Sequence, residues 1–99
     1  HDKMVEIVYS KEVKKIIEAD LKYFDENAFT DSGAIKSYKI DATTIEHNPM
    51  GGIMFDVYVN NDHKLLIHFT LEKYRGVIRN SGGGYSAEFE KLIKGDNHE

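Results

Sequence analysis

Ile53-Met54-Phe55-Asp56-Val57-Tyr58-Val59, the turn Asn60-Asn61-Asp62-His63, and Lys64-Leu65-Leu66-Ile67-His68-Phe69-Thr70-Leu71 form the stretch that decides the fold. Ile53, Phe55, Val57 and Val59 alternate with Met54, Asp56, Tyr58 and Asn60. Beyond the turn, Leu65, Ile67, Phe69 and Leu71 alternate with Lys64, Leu66, His68 and Thr70. Successive side chains of a strand point to opposite faces. A period of two on both sides of an Asn/Asp turn therefore specifies a β-hairpin with one buried face.

Working outward, Ala34 to Ile40 and Thr43 to His47 read as two short strands, with Ile35, Tyr38, Ile40, Thr43, Thr44 and Ile45 as the strand-favouring members. Glu72 to Gly76 reads as a second turn, and Val77, Ile78 and Arg79 begin a further short strand. Upstream, Val5, Val8, Tyr9, Val13, Ile16, Ile17, Ala19, Leu21 and Phe24 recur mostly at spacings of three or four, the stripe of an amphipathic helix. Glycine and proline are absent there, so one long helix over about residues 3–25 is expected. Ser10 as the cap of a second helix is the alternative. Asp25 to Gly33 is a connector rich in turn formers, with Ala28 and Phe29 as an apolar plug under the helix end. At the other end, Ser86 is a good N-cap for a short helix carrying Ala87, Phe89, Leu92 and Ile93, and Gly95 is a natural stop.

The expected fold is α+β, a single domain over residues 1–99. A long N-terminal helix packs on a four- or five-stranded antiparallel meander sheet, followed by a short C-terminal helix. The helix is expected to cover Phe55, Val57, Ile67 and Phe69, whose burial is worth roughly 1.5–3 kcal/mol each before entropy is counted.

Composition narrows the function. The 99 residues suit one core, and 40% apolar content is that of a globular chain. Cysteine is absent, which excludes disulfides and thiolate metal sites. The net charge of −4 is opposite to the basic bias of duplex-binding domains, so no nucleic-acid partner is expected. No apolar run approaches the roughly 20 residues that span a bilayer, so no membrane insertion by this segment is expected. The first residue is His1 rather than Met, which leads us to expect that an upstream segment has been removed.

Candidate sites were weighed against plainer roles. His1 and His98 fall at termini expected to fray, and His47, His63 and His68 show no HxH or HExxH spacing, so no metal is expected. The carboxylates Asp41, Glu46, Asp56 and Glu72 lie on or beside strands, and Asp56 faces away from the apolar stripe, within reach of His68 or Thr70 across the hairpin. Such a pair serves catalysis in some proteins and is an ordinary cross-strand pair in others. No nucleophile with an activating pattern accompanies it, so no catalytic residues, no cofactor and no enzyme activity are expected. Two glycine-rich segments stay open as ligand-binding candidates: Asn48, Gly51 and Gly52 in the loop 48–52, and Gly82, Gly83, Gly84, Tyr85 and Ser86 in the loop 81–86. The second runs into a helix N-terminus, where free amides can hold an anion. No Lys follows at P-loop spacing, and both loops have a structural reading as turns or as a close crossing of the sheet edge.

The strings Ile35-Lys36-Ser37-Tyr38-Lys39-Ile40-Asp41, His47-Asn48-Pro49-Met50-Gly51-Gly52-Ile53, Tyr58-Val59-Asn60-Asn61-Asp62 and Ser81-Gly82-Gly83-Gly84-Tyr85-Ser86 resemble a family of small Gram-positive proteins, the domain-of-unknown-function family numbered 1310. The resemblance covers nearly the whole chain. Members often begin with an apolar export or anchor segment, so it implies an extracytoplasmic, secreted or membrane-anchored domain. It carries over no catalytic residue.

The leading expectation is a non-enzymatic extracytoplasmic binding or interaction domain of a Gram-positive cell envelope, its partner an unidentified protein or small ligand. The alternative is a small-ligand or anion receptor built on the two glycine loops. A weaker one is a hydrolase using Asp56 and His68. Self-association as a homodimer is expected to use Val77 to Arg79, if that strand is an open edge.

Overall fold

The computed structural model describes residues 2–95. His1 and His98, read above as terminal, lie outside them. The chain folds as α+β: helices α1 (Asp2–Val8) and α2 (Lys11–Phe24), strands β1 (Tyr38–His47), β2 (Ile53–Val59), β3 (Leu66–Tyr74) and β4 (Val77–Asn80), and helix α3 (Ala87–Lys94). The four strands are antiparallel, in the order β1-β2-β3-β4.

The decisive hairpin forms as its alternation requires. Phe55 pairs with Phe69, Val57 with Ile67 and Asp56 with His68. The Phe55 and Phe69 rings stack with centroids 5.4 Å apart. Asn60 and Asn61 carry the turn, both at φ 56°, a left-handed conformation that asparagine tolerates better than most residues. The apolar face of the hairpin meets Val8 of α1, Val13, Ile17 and Leu21 of α2, and Phe89 of α3 in one buried core. The three helices of the described residues thus lie on one side, and among those residues the other face of the sheet carries none.

Two boundaries differ from the sequence reading. The long helix is two helices, because Ser10 breaks the ladder. Its Oγ accepts from Val13 N (3.3 Å) and donates to Ile7 O (2.7 Å), capping α2 and closing α1 at once. The cap was the alternative reading, and local capping prevails over an unbroken apolar stripe.

The two strands expected over 34–40 and 43–47 are a single strand, so the sheet has four strands. Ala34 to Ser37 stay outside it because side chains take their amides. Asp25 Oδ2 accepts from Ala34 N (2.8 Å) and Ile35 N (3.0 Å), and Asn60 Oδ1 accepts from Lys36 N (2.7 Å) and Ser37 N (3.3 Å). At Asp41 the chain does not turn; the register with β2 shifts between Asp41 and Glu46, a bulge that strand pairing absorbs. Ser86 and Gly95 cap α3 as read, the latter in the left-handed conformation.

Candidate functional site

The uncovered sheet face holds a cleft of about 560 Å³. Thr43, Thr44 and Glu46 line it from β1, Met54 and Asp56 from β2, His68 and Thr70 from β3, and Gly83 from the loop after β4. Strand alternation puts Met54, Asp56, His68 and Thr70 there: residues out of phase with the buried Phe55, Val57, Ile67 and Phe69 must face outward.

At its centre Asp56 Oδ1 is hydrogen-bonded to His68 Nδ1. The two residues are directly opposed on β2 and β3, so the cross-strand reach expected from the sequence resolves to His68 rather than Thr70. Asp56 is the more sheltered partner, its side chain 22% exposed against 50% for His68. On the other side Asp56 is opposed by Asp41. Two like charges in that position repel, and each carboxylate has its own partner instead: Asp41 Oδ1 accepts from Thr43 N (3.1 Å) and Thr43 Oγ1 (2.6 Å). The bulge also turns Thr44 toward β2, where its Oγ1 accepts from Asp56 N (2.8 Å) and donates to Asp41 O (2.7 Å). Thr43 and Thr44 went unread as site residues, since only the register shift brings their hydroxyls to the cleft.

The loop 81–86 acts as a strap along β3. Ser81 N donates to Thr70 O (2.8 Å), His68 N to Gly84 O (2.9 Å) and Ser86 N to Leu66 O (2.9 Å). Glycine is required at Gly83 by proximity, because a Cβ there would sit 2.8 Å from the backbone oxygen of His68. Ser86 Oγ accepts from Leu66 N and Phe89 N and donates to Lys64 O. Tyr85 is half-exposed, its ring packed edge-on against Phe24 with centroids 5.3 Å apart. The strap therefore fixes Gly83 as a wall of the cleft while Tyr85 and Ser86 anchor it.

The loop 48–52 lies elsewhere. Asn48 Oδ1 accepts from Met50 N (3.0 Å), and Gly51 and Gly52 line a shallow depression with Met50, Glu72 and Lys73. Gly52 combines φ 97° with close approach, since a Cβ would sit 2.4 Å from Leu71 O. Of the two glycine segments, the cleft takes up Gly83 and the second depression takes up Gly51 and Gly52.

Two groups outside the cleft have shifted acidities. Burial raises the Asp20 carboxyl above its usual range. The Tyr38 phenol is pushed up to about 12, first by burial and then by its hydrogen bond to the Glu18 carboxylate. Among the described residues no group of three or more His, Cys, Asp or Glu side chains is placed to hold a metal ion. No helix among them is long and apolar enough to cross a membrane.

No curated protein and no solved structure matches the chain. Residues 1–92 do match the family described as protein of unknown function (DUF1310), and the chain belongs to that family.

Proposed function

We propose that this chain is a non-enzymatic binding domain working outside the cytoplasm of a Gram-positive cell, and that it holds its ligand on the open face of the sheet. One observation carries the reading: the helices cover one face only, and the bare face is concave and lined by side chains with unlike hydrogen-bonding roles. The lining combines the carboxylates of Glu46 and Asp56 with the hydroxyls of Thr43, Thr44 and Thr70, and contains no Lys or Arg. That chemistry favours a ligand rich in donors, an ammonium or guanidinium group above all, and works against an anion. The location rests on the family resemblance, and protease accessibility on intact cells tests it.

Binding is tested by titrating the 15N-labelled chain with spermidine and, separately, with inorganic phosphate. Spermidine is expected to shift the amides of Asp56, His68, Thr70 and Gly83, and Asp56→Asn to weaken that response at least threefold, while phosphate leaves the cleft unmoved. Cleft amides that respond to neither probe would sink the proposal.

The hydrolase reading keeps one supporting observation. With Nδ1 held by Asp56, the His68 ring has its other nitrogen for a proton transfer. Turnover of nitrophenyl esters by the parent chain, lost in His68→Gln, would favour it over simple binding.

A further inference from the structure

We infer that the outer edge of β1 is a self-association surface, and that a second copy of this chain pairs with it antiparallel about a twofold axis at Ile40.

The first ground is backbone direction. β1 has β2 on one side and no strand on the other among the described residues. Asn60 N donates to Ser37 O at 2.9 Å, so the odd-numbered positions at this end of β1 turn their amides and carbonyls toward β2. Backbone groups alternate along a strand, and those of Tyr38, Ile40 and Ala42 therefore point away from the sheet. Among the described residues no hydrogen bond from outside the sheet reaches them. An edge of this kind is a template for another strand.

The second ground is charge. With the axis at Ile40, Ile40 faces its own copy, Tyr38 faces Ala42, and Lys39 faces Asp41 twice. Because the bonded pairs are the even-numbered ones, Lys39 and Asp41 meet at the closer, non-hydrogen-bonded spacing. The neighbouring registers with the same backbone phase, centred on Tyr38 or Ala42, set Lys39 against Ser37 or Asp41 against Thr43 and form no charge pair. The pattern selects one register.

The third ground is an adjoining groove of about 290 Å³ beside the edge, lined by Val8, Tyr9, Tyr38 and Ile40 and also by Lys14 and Lys39. Tyr9 is 54% exposed beside it. A partner strand would bring its own Tyr38 and Ile40 over the apolar part of this groove. The pairing is also self-limiting. The bulge between Asp41 and Glu46 breaks the register at one end, and the Asn60 clamp on Lys36 and Ser37 diverts the chain at the other. A closed pair results rather than a fibre. The edge expected from the sequence, on β4, spans only Val77–Asn80.

Light scattering on the intact chain over a concentration series is expected to show the mass rising toward twice the monomer value. Lys39→Glu alone and Asp41→Lys alone are each expected to remain monomeric, and a mixture of the two to form a heterodimer, because each then supplies the charge the other lacks. The chain has no cysteine, so Ile40→Cys reports cleanly. Its self-opposed Cα atoms would lie about 5.5 Å apart, within disulfide range, and mild oxidation is expected to link it while leaving Val77→Cys unlinked. Circular dichroism checks that each variant is folded, and if Asp41→Lys is not, Lys39→Glu and Ile40→Cys decide. A constant monomer mass up to the solubility limit, an undiminished dimer with Lys39→Glu, or linkage at Val77→Cys but not at Ile40→Cys overturns the inference.

Discussion

Tyr38 joins the sheet to the helices through one hydrogen bond, from its hydroxyl to Glu18 Oε2 at 3.0 Å. The acceptor is charged, but the site is only partly buried. Tyr38→Phe is therefore expected to cost only about 0.5–1 kcal/mol, read as a lower urea midpoint. The sign with pH follows from the raised phenol. The fold favours the protonated form, so this contribution is complete below pH 10 and is lost as the pH climbs from 10 toward about 12. Parent and variant are expected to converge in stability across that window, and an unchanged gap would refute the assignment. Asp20 has the same sign at acid pH. Its carboxyl is raised by burial, so it disfavours the fold once ionised, and Asp20→Asn is expected to raise the melting temperature at pH 7. In the sequence Tyr38 reads only as a strand former and Asp20 carries no signal, because nothing in the residue type tells which Tyr or Asp will be half-buried.

The elements show how short-range chemistry competes with periodicity. The apolar stripe from Val5 to Phe24 is continuous enough for one helix, yet Ser10 divides it. Ser10→Ala removes the acceptor for Val13 N and is expected to lower stability by about 1 kcal/mol, with loss of amide protection at Val13 and Lys14 as the specific sign. If exchange there is unchanged, the cap is not what separates α1 from α2. In β1 the competition runs the other way. Asp41-Ala42 resembles a turn, and the strand continues through it because Thr44 replaces a ladder partner for Asp56 N. A strand with a bulge and two strands with a turn carry the same residue types, and only the neighbour decides between them.

Across the whole molecule the stacked Phe55 and Phe69 belong to the one buried core that the sheet shares with the three helices. Phe69→Ala is expected to cost about 3–5 kcal/mol in a denaturant melt, a large part of the roughly 5–15 kcal/mol that holds a domain of ordinary stability. The same substitution removes a side chain that lines the cleft. What the amino-acid order determined alone was the hairpin, the one-sided core, the capped C-terminal helix and the family. All of these follow from local alternation or from short strings, which need no distant partner to be read. The meeting of Asp56 with His68, the arrival of Thr44 and Gly83 at the same cleft, and the separation of the two glycine loops were decided only by the tertiary structure. Strand register and the path of the strap depend on residues far apart in sequence, and a one-residue slip would have placed each of those side chains on the other face.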